Sequence, residues 1–197
     1  MIEIRDISFD WQTKTIFTNF SAVVAPNSST LLSGPNGAGK TTLINLIGGV
    51  LKPSSGSIHI NGLDIATLST QEQSKLRSVA PQRRIFDLAF TVDQVLNFIP
   101  AASHSEDVRE ALELDVIADL KVTELSLGQQ QRVSTGLALI QEAPFYLLDE
   151  PFSAQDSHHL HSALDLLTML SKEHGILVVA HNSDAFSSRF SSTVSVS

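Results

Sequence analysis

The segment Gly34-Pro35-Asn36-Gly37-Ala38-Gly39-Lys40-Thr41 has the spacing G-x-x-x-x-G-K-[ST]. Its glycines let successive backbone N–H groups turn inward around anionic oxygens, and Lys40 adds a positive charge. The hydroxyl of Thr41 is a hard oxygen of the kind Mg²⁺ prefers, and Thr42 follows it in the same turn. The chemistry implied is capture of nucleotide phosphates from Gly34 to Thr42, with Lys40 bridging the β and γ phosphates. A second reactive place ends the apolar run Phe145-Tyr146-Leu147-Leu148 in two carboxylates, Asp149 and Glu150. Asp149 suits Mg²⁺ held through water, whereas Glu150, aimed differently, suits orienting and deprotonating an attacking water. Taken alone, the same pair before Pro151 also reads as the start of a solvated loop. His181 closes another apolar run, Ile176 to Ala180, in a position to sense or stabilise charge on a γ phosphate, although a lone histidine is more often structural.

The elements that must hold these groups follow from hydrophobic pattern. Thr30-Leu31-Leu32-Ser33 enters the glycine turn as a strand, and Lys40 to Val50 leaves it as an apolar helix whose N-terminus favours anions. Phe145 to Leu148 and Ile176 to Ala180 are nearly continuous apolar runs, as in parallel strands covered on both faces. Ile2 to Phe9 and Asn19 to Val24 alternate apolar and polar residues, which predicts a small antiparallel layer. Thr91 to Phe98, Glu106 to Ala118 and Gly128 to Gln141 carry helical spacing. The expectation is an α/β fold, a P-loop NTPase core with a mostly parallel sheet, an N-terminal antiparallel β layer and a helical subdomain insertion. One domain spans residues 1–197, with its core at about 1–82 and 143–197 and the insertion at about 83–142.

Further motifs carry a resemblance. Leu125-Ser126-Leu127-Gly128-Gln129, followed by Gln130-Gln131-Arg132, resembles the LSGGQ signature of ABC transporter nucleotide-binding subunits. Pro81-Gln82 resembles the Q-loop of that family, Ser153-Ala154-Gln155-Asp156 its D-loop and His181 its switch histidine. Trp11, the only tryptophan, lies upstream of Gly34 where the family places an aromatic that stacks on adenine, although an ordinary core role is the simpler alternative. The resemblance implies the ABC ATPase fold, ATP and Mg²⁺ as ligands, and hydrolysis with Glu150, His181 and Gln82 as catalytic residues. Thr41, Gln82 and Asp149 would hold the metal. It further implies two such subunits sandwiching two ATP molecules, each P-loop facing Ser126, Gly128 and Gln129 of the other subunit, with Asp156 beside the shared nucleotide. The implied partners are a second nucleotide-binding subunit, a transmembrane permease and, through it, an extracytoplasmic binding protein. The chain would then sit on the cytoplasmic face of the membrane. Leu127 departs from the family's usual glycine, and its side chain must point away from incoming phosphates.

Composition narrows the field. A net charge of −8 argues against nucleic acid as a partner, because phosphate-backbone binding needs clustered Lys and Arg. With no cysteine, neither disulfides nor thiolate metal sites are available. The opening MIEIRDISFD lacks a basic stretch followed by an apolar core, so no secretory signal is expected, and no run approaches the ~18 apolar residues of a membrane span. His158, His159 and His161 read as a solvated helix start and carry no metal expectation. Two function classes remain: a transporter's energy subunit, or a soluble ABC-type ATPase in a non-transport complex. Around Gln82 and Asp149 the sequence looks similar to zinc and manganese importers, which makes metal-ion import the finer expectation.

Overall fold

The computed structural model describes residues 1–82, 84, 86, 89–100, 102–152, 157–180 and 187–197. Strand β1 (Ile2–Trp11) buries Ile2 and Ile4 and then Ile7 and Phe9, a step that breaks strict alternation. The backbone absorbs the extra residue in a bulge at Asp6, whose φ is 49°. Across the bulge, the Asp6 N–H donates to Ser21 Oγ at 2.8 Å and the Ser21 hydroxyl donates to Asp6 Oδ1 at 2.8 Å. Without that extra residue Ile7 and Phe9 would face water. β1 pairs with β2 (Lys14–Val24) and β4 (Ser55–Ile60), and β5 (Leu63–Asp64) completes an antiparallel sheet ordered β2-β1-β4-β5. The alternation in the sequence marks β1 and β2; β4 and β5 escape it because Ser55-Gly56-Ser57 is polar and β5 is a dipeptide.

The second sheet is entirely parallel. Its order is β6 (Arg77–Ala80), β7 (Phe145–Asp149), β8 (Gly175–Val179), β3 (Ser28–Ser33), β9 (Ser192–Ser195). Every residue of β7 and β8 is buried. Phe145, Leu147, Leu177 and Val179 pack with the antiparallel sheet and with α1 (Lys40–Ile47), while Tyr146, Leu148, Ile176 and Val178 join the other core. That second core includes α3 (Val92–Leu96), α4 (Ser105–Ala111), α5 (Leu127–Ile140) and α6 (Ser157–Leu170). Coverage on both faces is why these strands read as unbroken apolar runs.

Helix ends differ from the spacing-based limits for local reasons. α1 stops at Ile47 rather than Val50, because Gly48 caps it and Gly49 turns to φ 69°. The buried guanidinium of Arg77 then donates through Nε to Ile47 O at 2.7 Å and through Nη2 to Gly48 O, placing a cation on the C-terminal carbonyls. Burial holds that guanidinium below its ordinary pKa. α2 (Thr70–Ser74) leads into β6. α3 begins one residue after the expected Thr91, which caps it. α4 ends at Ala111, since Glu113 adopts φ 48°, and a 3-10 turn at Asp115–Ile117 replaces the rest of the expected helix. Among the described residues no helix is long and apolar enough to cross a membrane.

Because β3, β6, β7 and β8 run parallel, their C-terminal ends share one edge of the sheet. The glycine turn, Gln82, Glu150 and the position of His181 each follow one of these ends, where open α/β sheets gather ligands.

Candidate functional site

The turn from β3 into α1 exposes Gly34, Pro35, Asn36 and Gly37, half-buries Ala38 and Gly39, and buries Lys40. Gly39 sits at φ 98° as the residue before α1. A Cβ there would lie 2.5 Å from Ile16 Cγ2 and 3.0 Å from Phe17 Cζ, so β2 backs directly onto the turn. A Cβ at Gly34 would lie 2.2 Å from the carbonyl oxygen of Val196. The segment ending β9 therefore braces the other side, and the Val196 N–H donates to Ser33 O at 2.9 Å. Lys40 Nζ donates to Gly34 O at 2.7 Å and Pro35 O at 2.9 Å, which suspends its ammonium across the mouth of the turn. An ammonium has three donors, so one is left for an anionic oxygen. Thr41 is exposed and Thr42 half-buried in the first turn of α1, whose positive end faces the same mouth.

Asp149 ends β7 with 2% of its surface exposed. Glu150 follows with φ 54°, so its carboxylate leaves the strand in a different direction. Contacts with three described residues hold it. Its N–H donates to Val179 O at 3.0 Å, its Oε2 accepts from Gln82 Nε2 at 2.8 Å, and its carbonyl accepts from Gln131 Nε2. Gln82 and Glu150, singled out separately in the sequence, are thus joined directly. Gln82 spends its amide N–H on Glu150 and keeps an amide oxygen. With the Asp149 carboxylate and the Thr41 hydroxyl, this makes an all-oxygen donor set at one sheet edge, which fits the preference of Mg²⁺.

Ser126 caps α5 in a capping box: Gln129 N–H donates to Ser126 Oγ at 3.3 Å, and Ser126 N–H donates to Gln129 Oε1 at 2.9 Å. The side chain of Gln129 is turned onto its own helix. The N–H groups of Leu127 and Gly128 are the first-turn donors that no residue four back can satisfy, and they lie along the positive end of α5. Leu127 is 60% exposed and lines a lateral cleft of about 440 Å³ with Gln82, Phe86 and Gln131. Helix α5 begins at Leu127, one residue before the expected Gly128.

Trp11 lies at the hairpin end of β1, paired with Lys14. Its 53% exposure argues against a core role, and Phe9 supports it at a ring distance of 6.2 Å. The strand it pairs with also carries Ile16 and Phe17, which back the glycine turn.

His181 and Asp156 lie outside the described residues. Gln131 carries no spacing signal of its own along the chain, being one glutamine within a helix. Val196, Ile16 and Phe17 likewise carry none, because they shape the turn only through tertiary packing.

A phosphate-binding turn between a parallel strand and a helix, with a carboxylate pair at the end of a second parallel strand of the same sheet, one strand removed, defines a P-loop ATPase. A solved ATP-binding subunit of an ABC transporter superposes with a TM-score of 0.88 at 24% identity, over 100% of this chain and 85% of that one, which establishes the fold. The model of the ABC transporter family matches residues 17–153, and the chain belongs to that family as an ABC ATPase that binds ATP. It is similar to the hemin import ATP-binding protein HmuV of Rhizobium meliloti (strain 1021), 34% identical over 92% of this chain and 76% of the relative. It is likewise similar to the petrobactin import ATP-binding protein YclP of Bacillus subtilis (strain 168), 28% identical over 92% and 77%. These relatives are named for the import of hemin and of petrobactin, not of zinc or manganese, so the narrower likeness to zinc and manganese importers is not supported.

Proposed function

We propose that this chain is the energy subunit of a membrane importer: two copies, or one copy and a similar subunit, close around two ATP molecules and drive a permease. The observation that carries the hydrolytic part is the hydrogen bond from Gln82 to Glu150 at the same sheet edge as the glycine turn. In this reading Lys40 and the N–H groups of the turn neutralise the β and γ phosphates, and Glu150 accepts the proton of the attacking water. Gln82 orients that carboxylate and, because it leaves β6 toward α3, reports its state to the helical segment. Thr41, Asp149 and Gln82 would hold Mg²⁺, which would supply charge neutralisation on the phosphates. His181 would stabilise the γ phosphate from the end of β8. Ser126, Leu127 and Gly128 would offer their hydroxyl and backbone N–H groups to the partner's nucleotide, with Asp156 beside it. Gln129 then serves as the cap that shapes this donor set. Leu127, which lines the lateral cleft, would keep its side chain away from the partner's phosphate.

The import direction and an iron-chelate cargo rest on the names of the relatives, because selectivity resides in the permease and in any extracytoplasmic binding protein. The chain would sit on the cytoplasmic face, held by the permease. Purification of the tagged chain from detergent-solubilised membranes of its native cell should bring down a multi-span permease. Recovery with soluble proteins alone would favour a non-transport ABC ATPase.

Trp11 gives the nucleotide pose its own test. Stacking on adenine should quench the fluorescence of this single tryptophan on ATP addition. Trp11→Ala should weaken ATP binding about tenfold, since base stacking on an aromatic is worth roughly 1–3 kcal/mol. Unchanged fluorescence together with unchanged affinity would remove Trp11 from the site.

A further inference from the structure

We infer that Gln131 is a positioning residue for hydrolysis, one that holds Glu150 in the backbone conformation its carboxylate needs; this rests on the proposed role of Glu150 as the base. Glu150 adopts φ 54°, a left-handed conformation that is unfavourable for a residue with a side chain. Something outside the residue must hold it there. Val179 O takes its N–H, and Gln131 Nε2 donates to its carbonyl oxygen, so both ends of the residue are tied. The carbonyl tie is the informative one. A polar side chain with 6% exposure needs a partner, and this one crosses from α5 to the end of β7.

The location of Gln131 gives the contact its significance. It sits on α5 a little more than one turn after Ser126, on the helix whose N-terminus carries the Leu127 and Gly128 N–H donors. Gln82 fixes the carboxylate end of Glu150 and Gln131 fixes the backbone end. A shift of α5 would therefore reach Glu150 through the Gln131 contact, and misplacing a catalytic group by about 1 Å can cost on the order of 10²-fold in rate.

The test is a double-mutant cycle on the full chain, read by phosphate release and by ATP titration. Gln131→Met keeps length and volume and removes the donor. It should lower kcat roughly tenfold while the dissociation constant for ATP changes less than about twofold. In a Glu150→Gln background, where the base is already lost, the same change should cost less than about twofold, because residues acting as one unit are non-additive. Equal loss in both backgrounds, or loss of ATP affinity in step with kcat, would show Gln131 to be merely structural. Turnover that survives Glu150→Gln alone would instead defeat the base assignment itself, and the present inference with it. Should Gln131→Met melt well below the parent chain, Gln131→Glu supplies the second reading. As a carboxylate it repels the Glu150 carbonyl, and as a neutral acid it can donate to it. Its turnover relative to the parent should recover as pH falls from about 8 to about 6, since burial raises a carboxyl pKa. A ratio flat across that range would overturn the role.

Discussion

Glu150→Gln is expected to lower steady-state ATP hydrolysis by roughly 10²–10⁴-fold while ATP binding persists, the range set by losing a positioned general base. The substitution isolates the base because almost everything else at the residue is kept. Its N–H still donates to Val179 O, its carbonyl still accepts from Gln131, and a glutamine Oε1 can accept from Gln82 as the carboxylate does. Only the proton-accepting oxygen is gone. The measurement is phosphate release at saturating ATP beside a nucleotide titration, and undiminished turnover would strike Glu150 from the mechanism. If two copies grip two nucleotides, the same variant should accumulate as a dimer by light scattering with ATP and Mg²⁺. ATP stabilises the closed pair by mass action, and the γ phosphate is no longer removed. Monomers persisting under those conditions would count against the sandwich.

Lys40→Ala should weaken ATP binding by about 10- to 150-fold, the equivalent of the roughly 1.5–3 kcal/mol carried by hydrogen bonds to a charged group. Two losses combine. The ammonium no longer meets phosphate oxygens, and the bonds from Nζ to Gly34 O and Pro35 O, which span the turn, disappear. The second loss is local, because Gly34 remains braced by Val196 and Gly39 by Ile16 and Phe17. The variant should therefore keep a thermal transition within a few degrees of the parent chain while its ATP titration shifts. An unchanged ATP affinity would mean that the cradle is misread.

What could be read from the sequence is what the chain settles locally. The glycine turn announces itself, because backbone N–H groups can line an anion only where residues adopt conformations such as the φ 98° of Gly39. The buried strands β7 and β8 announce themselves because covering both faces leaves them nearly continuous in apolar residues. A carboxylate at the end of such a strand is conspicuous for the same reason. The limits of α1 and α4 were harder to read, since Arg77 comes from β6 to meet the end of α1, and Glu113 turns out of the helical region at a point where spacing still looks helical. The bulge at Asp6 and the short strands β4 and β5 belong with these, being set by pairing across the sheet.

Which residues can bind phosphate, ligate a cation or take a proton is legible along the chain, because those capacities belong to single side chains and short turns. Packing between distant segments is what brings Gln82 to donate to Glu150, Gln131 to hold the backbone of Glu150 and Val196 to close on Gly34. Each contact joins segments far apart along the chain. Its existence depends on parallel strands ending at one edge and on helices packed over them, which no spacing along the chain encodes.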